Sequence, residues 1–170
     1  MLLDKDNQPI VFTGTADAAW DTSNRVMMPS KWQPQDRTVR FHVLPWPVAT
    51  EDYLLVLPPE RWQMMLDRVA SASLDDENMA NLERHIAGGA HQFVLDNVGR
   101  FSLPAEFAAR VGCKRPLNPD GSENKKAAAK VVLVGRLNKF EIWSAERYEA
   151  KRLVTKQAAI DALKSKSVIL

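Results

Sequence analysis

Cysteine is almost missing from this chain of 170 residues, which has only Cys113. A single cysteine excludes an internal disulfide framework and a cysteine-rich zinc site, and it fits a reducing compartment. We therefore interpret Cys113 as a buried structural thiol.

Long apolar runs are also missing. No stretch approaches the roughly 20 apolar residues that span a bilayer, and charges interrupt the apolar residues of segment 1–12, unlike those of a secretory signal peptide. We expect a soluble, cytoplasmic protein that has no membrane partner.

Residue types that carry catalysis are few and poorly placed. The three histidines, His42, His85 and His91, have no metal-ligand spacing and no visible nucleophile beside them. The pair Gly88-Gly89 lacks the lysine and the serine or threonine of a phosphate-binding loop. The sequence therefore predicts no enzyme, no catalytic residue, no metal site, no cofactor and no small-molecule substrate.

Charge is present in ordinary amount but unevenly distributed. The net charge is only +2, yet basic residues crowd the segment 110–139. A basic segment attracts anionic polymers such as nucleic acids, whereas lysines in a polar loop are often only solvated. Charge alone leaves both interpretations open.

The most informative feature is a phrase that occurs twice. "DTSNRVMMPSKW", residues 21–32, and "DNVGRFSLPAEF", residues 96–107, share an aspartate, an arginine four residues later and a proline four residues after that. A second match joins "LLVLPPERW", residues 54–62, to "FEIWSAERY", residues 140–148. Repetition of this kind indicates one structural unit built twice.

Each copy has the same predicted plan. A strand enters an Asp-x-x-(Asn/Gly)-Arg turn, a second short strand follows, and a proline starts a helical turn. The turn requires positive φ, which glycine adopts freely and asparagine tolerates. An apolar strand and a helix close the copy; in the first copy Trp62, Met65, Leu66 and Val69 share one helical face.

Other segments connect or extend these copies. Ser73 and Asp76 form a capping box that predicts a connecting helix, ended by Gly88-Gly89. Residues 40–50 and 114–130 look like loop insertions. We place Trp46 in the first of these loops, where its size would anchor a contact with another subunit.

These motifs, which cover roughly residues 10–150, resemble the MraZ family. The resemblance implies an α+β fold of two tandem AbrB-like swapped-hairpin units with pseudo-twofold symmetry, in which helices surround small β-sheets or a barrel. The boundaries we assign are 10–70 for the first repeat, 71–89 for the connecting helix, 90–155 for the second repeat and 156–170 for a C-terminal tail helix.

The resemblance also implies a function. Members are DNA-binding repressors of the cell-division and cell-wall gene cluster; they form ring-shaped homo-oligomers that bind repeated operator elements in double-stranded DNA, in the nucleoid. The turn arginine contacts DNA in that family, which maps first to Arg25 and second to Arg100. Ser23 and Asn24 replace the lysine and glycine of the family's usual first motif. Our candidate DNA-binding residues are Arg25, Asn24, Lys31 and Arg100.

Physical chemistry leaves two roles open for these arginines. A rigid β-ribbon enters the major groove, where arginine donates to guanine or phosphate. Alternatively, each arginine pairs with the aspartate of its own motif and braces the turn. The corresponding alternative for the whole protein is an oligomeric scaffold or protein-interaction regulator whose DNA binding is weakened.

Overall fold

The computed structural model describes residues 1–72 and 76–166. In these residues the elements follow one another as β1 (Thr15–Trp20), β2 (Arg25–Met27), a 3-10 helix (Ser30–Trp32), β3 (Phe41–Trp46), β4 (Tyr53–Leu57), α1 (Pro59–Ala70), α2 (Glu77–Gly89), β5 (His91–Phe93), β6 (Arg100–Ser102), α3 (Ala105–Arg110), β7 (Ala129–Gly135), β8 (Phe140–Ser144) and α4 (Ala145–Lys166). Ser73 of the predicted capping box lies outside the described residues. Asp76 caps α2, and its side chain accepts hydrogen bonds from the N–H groups of Asn78 and Met79.

The strands form two antiparallel sheets. Six strands make an open sheet in the order β1-β7-β8-β4-β3-β5, and β2 pairs with β6 in a separate two-stranded ribbon. With helices added to these sheets, the predicted α+β fold is confirmed.

Strand pairing follows the duplication of the sequence. The first strand of each half lies in the other half's part of the sheet, because β1 pairs with β7 and β5 pairs with β3. Val26 lies opposite Phe101 in the ribbon, and Leu55 lies opposite Glu141 in the sheet. Each of these pairs joins equivalent positions of the two sequence copies. A pseudo-twofold axis therefore passes through both pairs.

The main core lies between the ribbon and one face of the sheet. Alternate residues of the central strands point into it, as the period of a β-strand requires. Phe93 of the sheet stacks on Phe101 of the ribbon at 4.3 Å between ring centroids and so joins the two layers, and Phe41 stacks on Phe93 within the sheet at 5.3 Å. Burying each such ring contributes about 1.5–3 kcal/mol, so the ribbon is firmly seated on the sheet.

Helices α1 and α2 cover the opposite face of the sheet. Leu44, Leu55, Leu57 and Ile86 form the buried centre of this second cluster. Packed against it are Trp62, Met65 and Val69, which belong to the predicted apolar face of α1. The ribbon and the α1–α2 pair therefore lie on opposite sides of the sheet.

The prediction that residues 40–50 form an inserted loop is wrong. Phe41–Trp46 is strand β3, the counterpart of β7, and Trp46 pairs with Tyr53 and packs in the second cluster. Prolines usually argue against a strand, but β5 pairs only with residues 41–43, so Pro45 lies beyond that contact. Trp46 is thus a half-buried core residue.

Helix α4 runs unbroken from Ala145 to Lys166, past residue 156, where we predicted a separate tail helix to begin. Ser144 caps it by accepting a hydrogen bond from the backbone N–H of Arg147 at 3.1 Å. From Glu149 onward every residue of α4 is exposed. In the described ranges no helix combines the length and apolarity that crossing a bilayer requires.

Candidate nucleic-acid interface

The two motif arginines lie on the same solvent face of the β2–β6 ribbon. Val26 and Phe101, each 1% exposed, point into the core from the middle of the ribbon. Arg25 lies opposite Ser102, and Met27 lies opposite Arg100. Side chains alternate along a strand, so these four residues share the outward face, and the two arginines are diagonal neighbours about 7–8 Å apart.

The first turn is held by Asp21. Its Oδ1 accepts hydrogen bonds from the backbone N–H groups of Ser23 at 2.8 Å and Arg25 at 2.9 Å. Asn24, at the tip, has φ of 60°, and its N–H donates to the carbonyl of Asp21. The turn thus fixes the backbone of the residue that carries the guanidinium group.

The second turn repeats this geometry. Oδ1 of Asp96 accepts from the N–H groups of Val98 at 3.0 Å and Arg100 at 2.9 Å. Gly99 is at the tip with φ of 94°. The interpretation of both aspartates as turn formers agrees with these bonds.

Each turn is also bonded to the other strand of the ribbon. The N–H of Met28 donates to the carbonyl of Gly99 at 3.0 Å, and the N–H of Leu103 donates to the carbonyl of Asn24 at 2.9 Å. These bonds lock the turns into one rigid unit, in which the positions of the two arginines are fixed relative to each other.

Both arginines pair with their own aspartates. Nε of Arg25 lies 3.2 Å from Asp21 Oδ2, and Nε of Arg100 lies 2.8 Å from Asp96 Oδ2. Each arginine side chain is 36% exposed. Since a guanidinium group has five N–H donors, pairing through Nε orients the group and still leaves donors for a phosphate or a guanine. Bracing the turn and binding DNA are therefore compatible roles.

The same contacts lower the pKa of both aspartates. For Asp96 the backbone N–H of Arg100 is the largest cause, followed by opposing burial and by the Arg100 side chain. For Asp21, burial alone would raise the pKa, but the N–H groups of Arg25 and Ser23 and the Arg25 guanidinium outweigh it. Both carboxylates are thus ionised near neutral pH and keep the arginines oriented.

The side chain of Asn24 is engaged inside the protein. Its Oδ1 accepts a hydrogen bond from Trp20 Nε1 at 3.1 Å. The structure therefore gives Asn24 a role in fixing the turn to β1, which the sequence analysis missed. Trp20, four residues before Asn24 in the sequence, was the available signal, because a buried indole N–H needs a hydrogen-bond partner.

The tip of the second turn has a different neighbour. A Cβ built on Gly99 would lie 2.1 Å from the side chain of Gln33, so this position accommodates glycine alone while Gln33 stays in place. Gln33 Nε2 in turn donates to the carbonyl of Met28 at 2.7 Å. The glycine thus meets a packing requirement as well as a conformational one.

Lys31 lies apart from the other candidates. It is an exposed residue of the 3-10 helix, and its ammonium lies against Gly14. The equivalent position in the second half is Glu106. Among the described residues, no hydrogen bond or ion pair joins Lys31 to Arg25, Asn24 or Arg100. The ribbon brings those three together and leaves Lys31 at the flank.

Two residues of the outward face escaped the sequence analysis. Met27, 44% exposed, and Ser102 lie between the arginines on the same surface. Period-two alternation within the repeated phrase would have identified both. Neither introduces a negative charge, so the charges at this face are the two arginines and the aspartates that pair with them.

A family model and several curated relatives match this chain. The family model described as "MraZ protein, putative antitoxin-like" matches residues 86–161. The chain is 30% identical over 144 residues to the transcriptional regulator MraZ of Thioalkalivibrio sulfidiphilus, covering 84% of this chain and 85% of that protein. It is also similar to the MraZ regulators of Pseudomonas putida, at 29% identity over 82% of this chain and 84% of that protein, and of Histophilus somni, at 26% over 83% and 84%. The chain therefore belongs to the MraZ family.

Proposed function

We propose that this protein is a transcriptional regulator that binds double-stranded DNA through the outward face of the β2–β6 ribbon. The observation that carries the proposal is the placement of Arg25 and Arg100 side by side on a rigid, solvent-facing ribbon. The names of its relatives support the regulatory role, because those proteins are called transcriptional regulators.

The chemistry of the ribbon fits a duplex. The major groove of B-DNA admits a two-stranded β-ribbon, and arginine donates two parallel hydrogen bonds to guanine O6 and N7 or to a phosphate. Because the backbone bonds of the two turns hold both arginines in position, little conformational freedom is lost on binding. Arg25 and Arg100 have matching exposure and matching contacts, so both contribute to binding.

The finer parts of the proposal come from the resemblance to the family. The protein acts in the nucleoid as a repressor of the cell-division and cell-wall gene cluster, and as a ring-shaped homo-oligomer that binds repeated operator elements. Two arginines on one chain give few phosphate contacts, so a single copy would bind weakly. Linking several copies raises the overall affinity by orders of magnitude when geometry allows simultaneous engagement.

Arginine substitution tests the proposal. The affinity for a duplex from the chain's own upstream region is measured by gel shift for Arg25→Ala, Arg100→Ala and the control Arg84→Ala. Arg84 is an exposed arginine of α2, paired with Glu77 on the other side of the sheet. We expect each ribbon variant to lose about tenfold or more in affinity, since an arginine contact to DNA is worth about 1–3 kcal/mol.

The control should bind like the unsubstituted protein, and the mass in solution should be unchanged in all three variants. Affinity should also fall steeply with salt. Full affinity in both ribbon variants would contradict the proposal.

An oligomeric scaffold that acts through other proteins remains a second candidate, favoured by the exposed part of α4, where Leu153 and Val154 face solvent. The absence of any binding to the upstream duplex at low salt would favour this candidate over the regulator.

A further inference from the structure

A cavity of about 710 Å³ opens beside the first turn. It lies between Asn24 at the tip of the turn, helix α3, and the loop 114–128 that leads to β7. Its volume falls in the range of about 300–1,000 Å³ that small-molecule sites have. The loop with no counterpart in the first half is thus one wall of a concave site.

The floor of the cavity is apolar. Trp20, which is 2% exposed, and the half-buried Ala108 form it, and the exposed Ala105, Ala109 and Leu117 also line the cavity. Cys113 adds a thiol whose pKa burial raises to about 12, so it stays protonated and behaves as part of the apolar surface. Such a floor accepts a flat aromatic ring or an acyl chain.

The other half of the molecule fills the equivalent place with a side chain. Gln33 is the counterpart of Ala108, and it packs against Gly99, the counterpart of Asn24. Both polar atoms of its amide are engaged: Nε2 donates to the carbonyl of Met28 at 2.7 Å, and Oε1 accepts from Arg37 at 3.0 Å. Alanine at position 108 leaves the corresponding space empty, so the cavity is a specific feature of the second half.

The rim of the cavity is positively charged. Lys114, Arg115 and Lys125 line it, against one acid, Glu123. Arg115 donates to the carbonyl of Lys125 at 3.1 Å and so joins the two ends of the loop. Within the described residues none of the three cations takes part in an ion pair. Such a rim attracts an anionic group to the mouth of the cavity.

We propose that this cavity is a binding site for a small amphipathic anion, with its aromatic or acyl body on the alanine floor and its acidic group at Lys114, Arg115 and Lys125. The phosphates of a duplex reach only the cations of the rim, whereas the concave interior accepts a small apolar body that a duplex does not present. The inference concerns ligand binding only, with no chemical conversion of the ligand, and the cavity shares Asn24 with the proposed DNA-binding face.

The test uses two fluorescent probes that differ in charge. Anilinonaphthalene sulfonate has an aromatic body and an anionic group, whereas N-phenylnaphthylamine has nearly the same body without the charge. Titration of the full chain should show saturable fluorescence at one sulfonate probe per chain. The neutral probe should bind about tenfold more weakly, because a hydrogen bond to a charged group is worth roughly that factor.

Substitutions locate the probe. Ala109→Trp places a large ring in the cavity from an exposed helical position and should abolish the signal, while Lys125→Ala should weaken binding about tenfold. Lys126→Ala, at the next residue of the same loop, and Arg61→Ala, in the separate groove beside α1, should have no effect. Circular dichroism verifies that each variant is folded.

The proposal is overturned by an unchanged signal in both Ala109→Trp and Lys125→Ala, or by equal affinity for the two probes. It is also overturned if the number of probes bound per chain changes with protein concentration. Such a dependence would indicate that a segment of a second copy occupies the cavity.

Discussion

In the first half of the chain a side chain occupies the turn tip, Asn24, and in the second half the tip is bare, at Gly99. The side chains that face the two tips differ in size in the reverse order: the small Ala108 lies near Asn24, and the larger Gln33 lies against Gly99. Gln33 therefore fills the space beside Gly99, whereas a cavity remains between Ala108 and Asn24. Divergence of the two copies has closed one of the two equivalent sites and left the other open.

A second difference lies on the pseudo-twofold axis. Leu55 and Glu141 are equivalent residues that pair across the centre of the sheet. Leu55 belongs to the apolar cluster beneath α1 and α2, whereas Glu141 accepts hydrogen bonds from Arg136 and Trp143, both at 2.8 Å. On the side of the sheet that carries α1 and α2, the first half of the chain thus contributes an apolar surface for helix packing, and the second half contributes a polar network.

The largest effect is expected from exchanging the residues on the axis. Leu55, 4% exposed, is surrounded by apolar groups, so Leu55→Glu buries a charge without a partner and should lower the free energy of unfolding by about 3–5 kcal/mol. Glu141→Leu should cost only about 1–2 kcal/mol, because Arg136 is 44% exposed and can be hydrated instead. Urea denaturation measures both. Equal losses would show that the two halves of this face are interchangeable.

The next largest effect is expected from changing the packing of Gln33 against Gly99. Gly99→Asn brings a side chain into Gln33 and should destabilise the protein by about 1–3 kcal/mol, as overpacking does. Adding Gln33→Ala should restore most of this loss. The reverse change, Asn24→Gly, removes only the hydrogen bond to Trp20 and should cost about 1 kcal/mol. Thermal unfolding measures all four variants, and failure of the rescue would contradict the expected clash with Gln33.

Charge at the flanks of the ribbon provides a third, smaller contrast. Glu106→Lys gives the second flank the charge that Lys31 gives the first, and it should tighten DNA binding about threefold to tenfold at low salt. Lys31→Glu should weaken binding by a similar factor. Gel shifts over a salt series measure both, with Glu77→Lys on α2 as the control. An effect of the control as large as that of Glu106→Lys would mean that net charge alone is being measured.

The smallest expected effect is on the pH dependence of the protein's stability. The folded protein lowers the pKa of Asp21 and Asp96, so their contribution is present above the unfolded-state pKa of about 3.9 and is lost as pH falls through the lower folded values. Replacing both with asparagine should therefore reduce stability near neutral pH and flatten its decline in acid. Melting temperatures measured from neutral to acidic pH would show this; a parallel curve would contradict it.

Much of the local structure could be predicted from the sequence, since it depends on near neighbours. The α+β class, both Asp-to-Arg turns, the apolar face of α1 and the cap at Ser144 all follow from short patterns around the residues concerned. Strand β3 was missed because Pro45 and Pro47 mask its alternation, which still places Phe41 and Val43 in the core.

The parts of the site that escaped prediction depend on contacts between distant segments. Trp20 and Asn24 are close in the sequence and are brought together by the turn. Gly99 and Gln33 are distant in the sequence and come into contact only when the two halves pack together. Glu141 offered one signal, an acid within an apolar strand pattern. Its partner Arg136 is close in sequence, yet only the hairpin between β7 and β8 brings the two together.

The pairing of Val26 with Phe101 has a consequence for the kind of target such a ribbon can distinguish. A ribbon made by two identical chains is symmetric and presents the same contacts to DNA in both orientations. Here both strands belong to one polypeptide, so the flanks carry Lys31 on one side and Glu106 on the other. In the DNA-binding role proposed above, such an asymmetric ribbon would distinguish the upstream end of a DNA element from its downstream end.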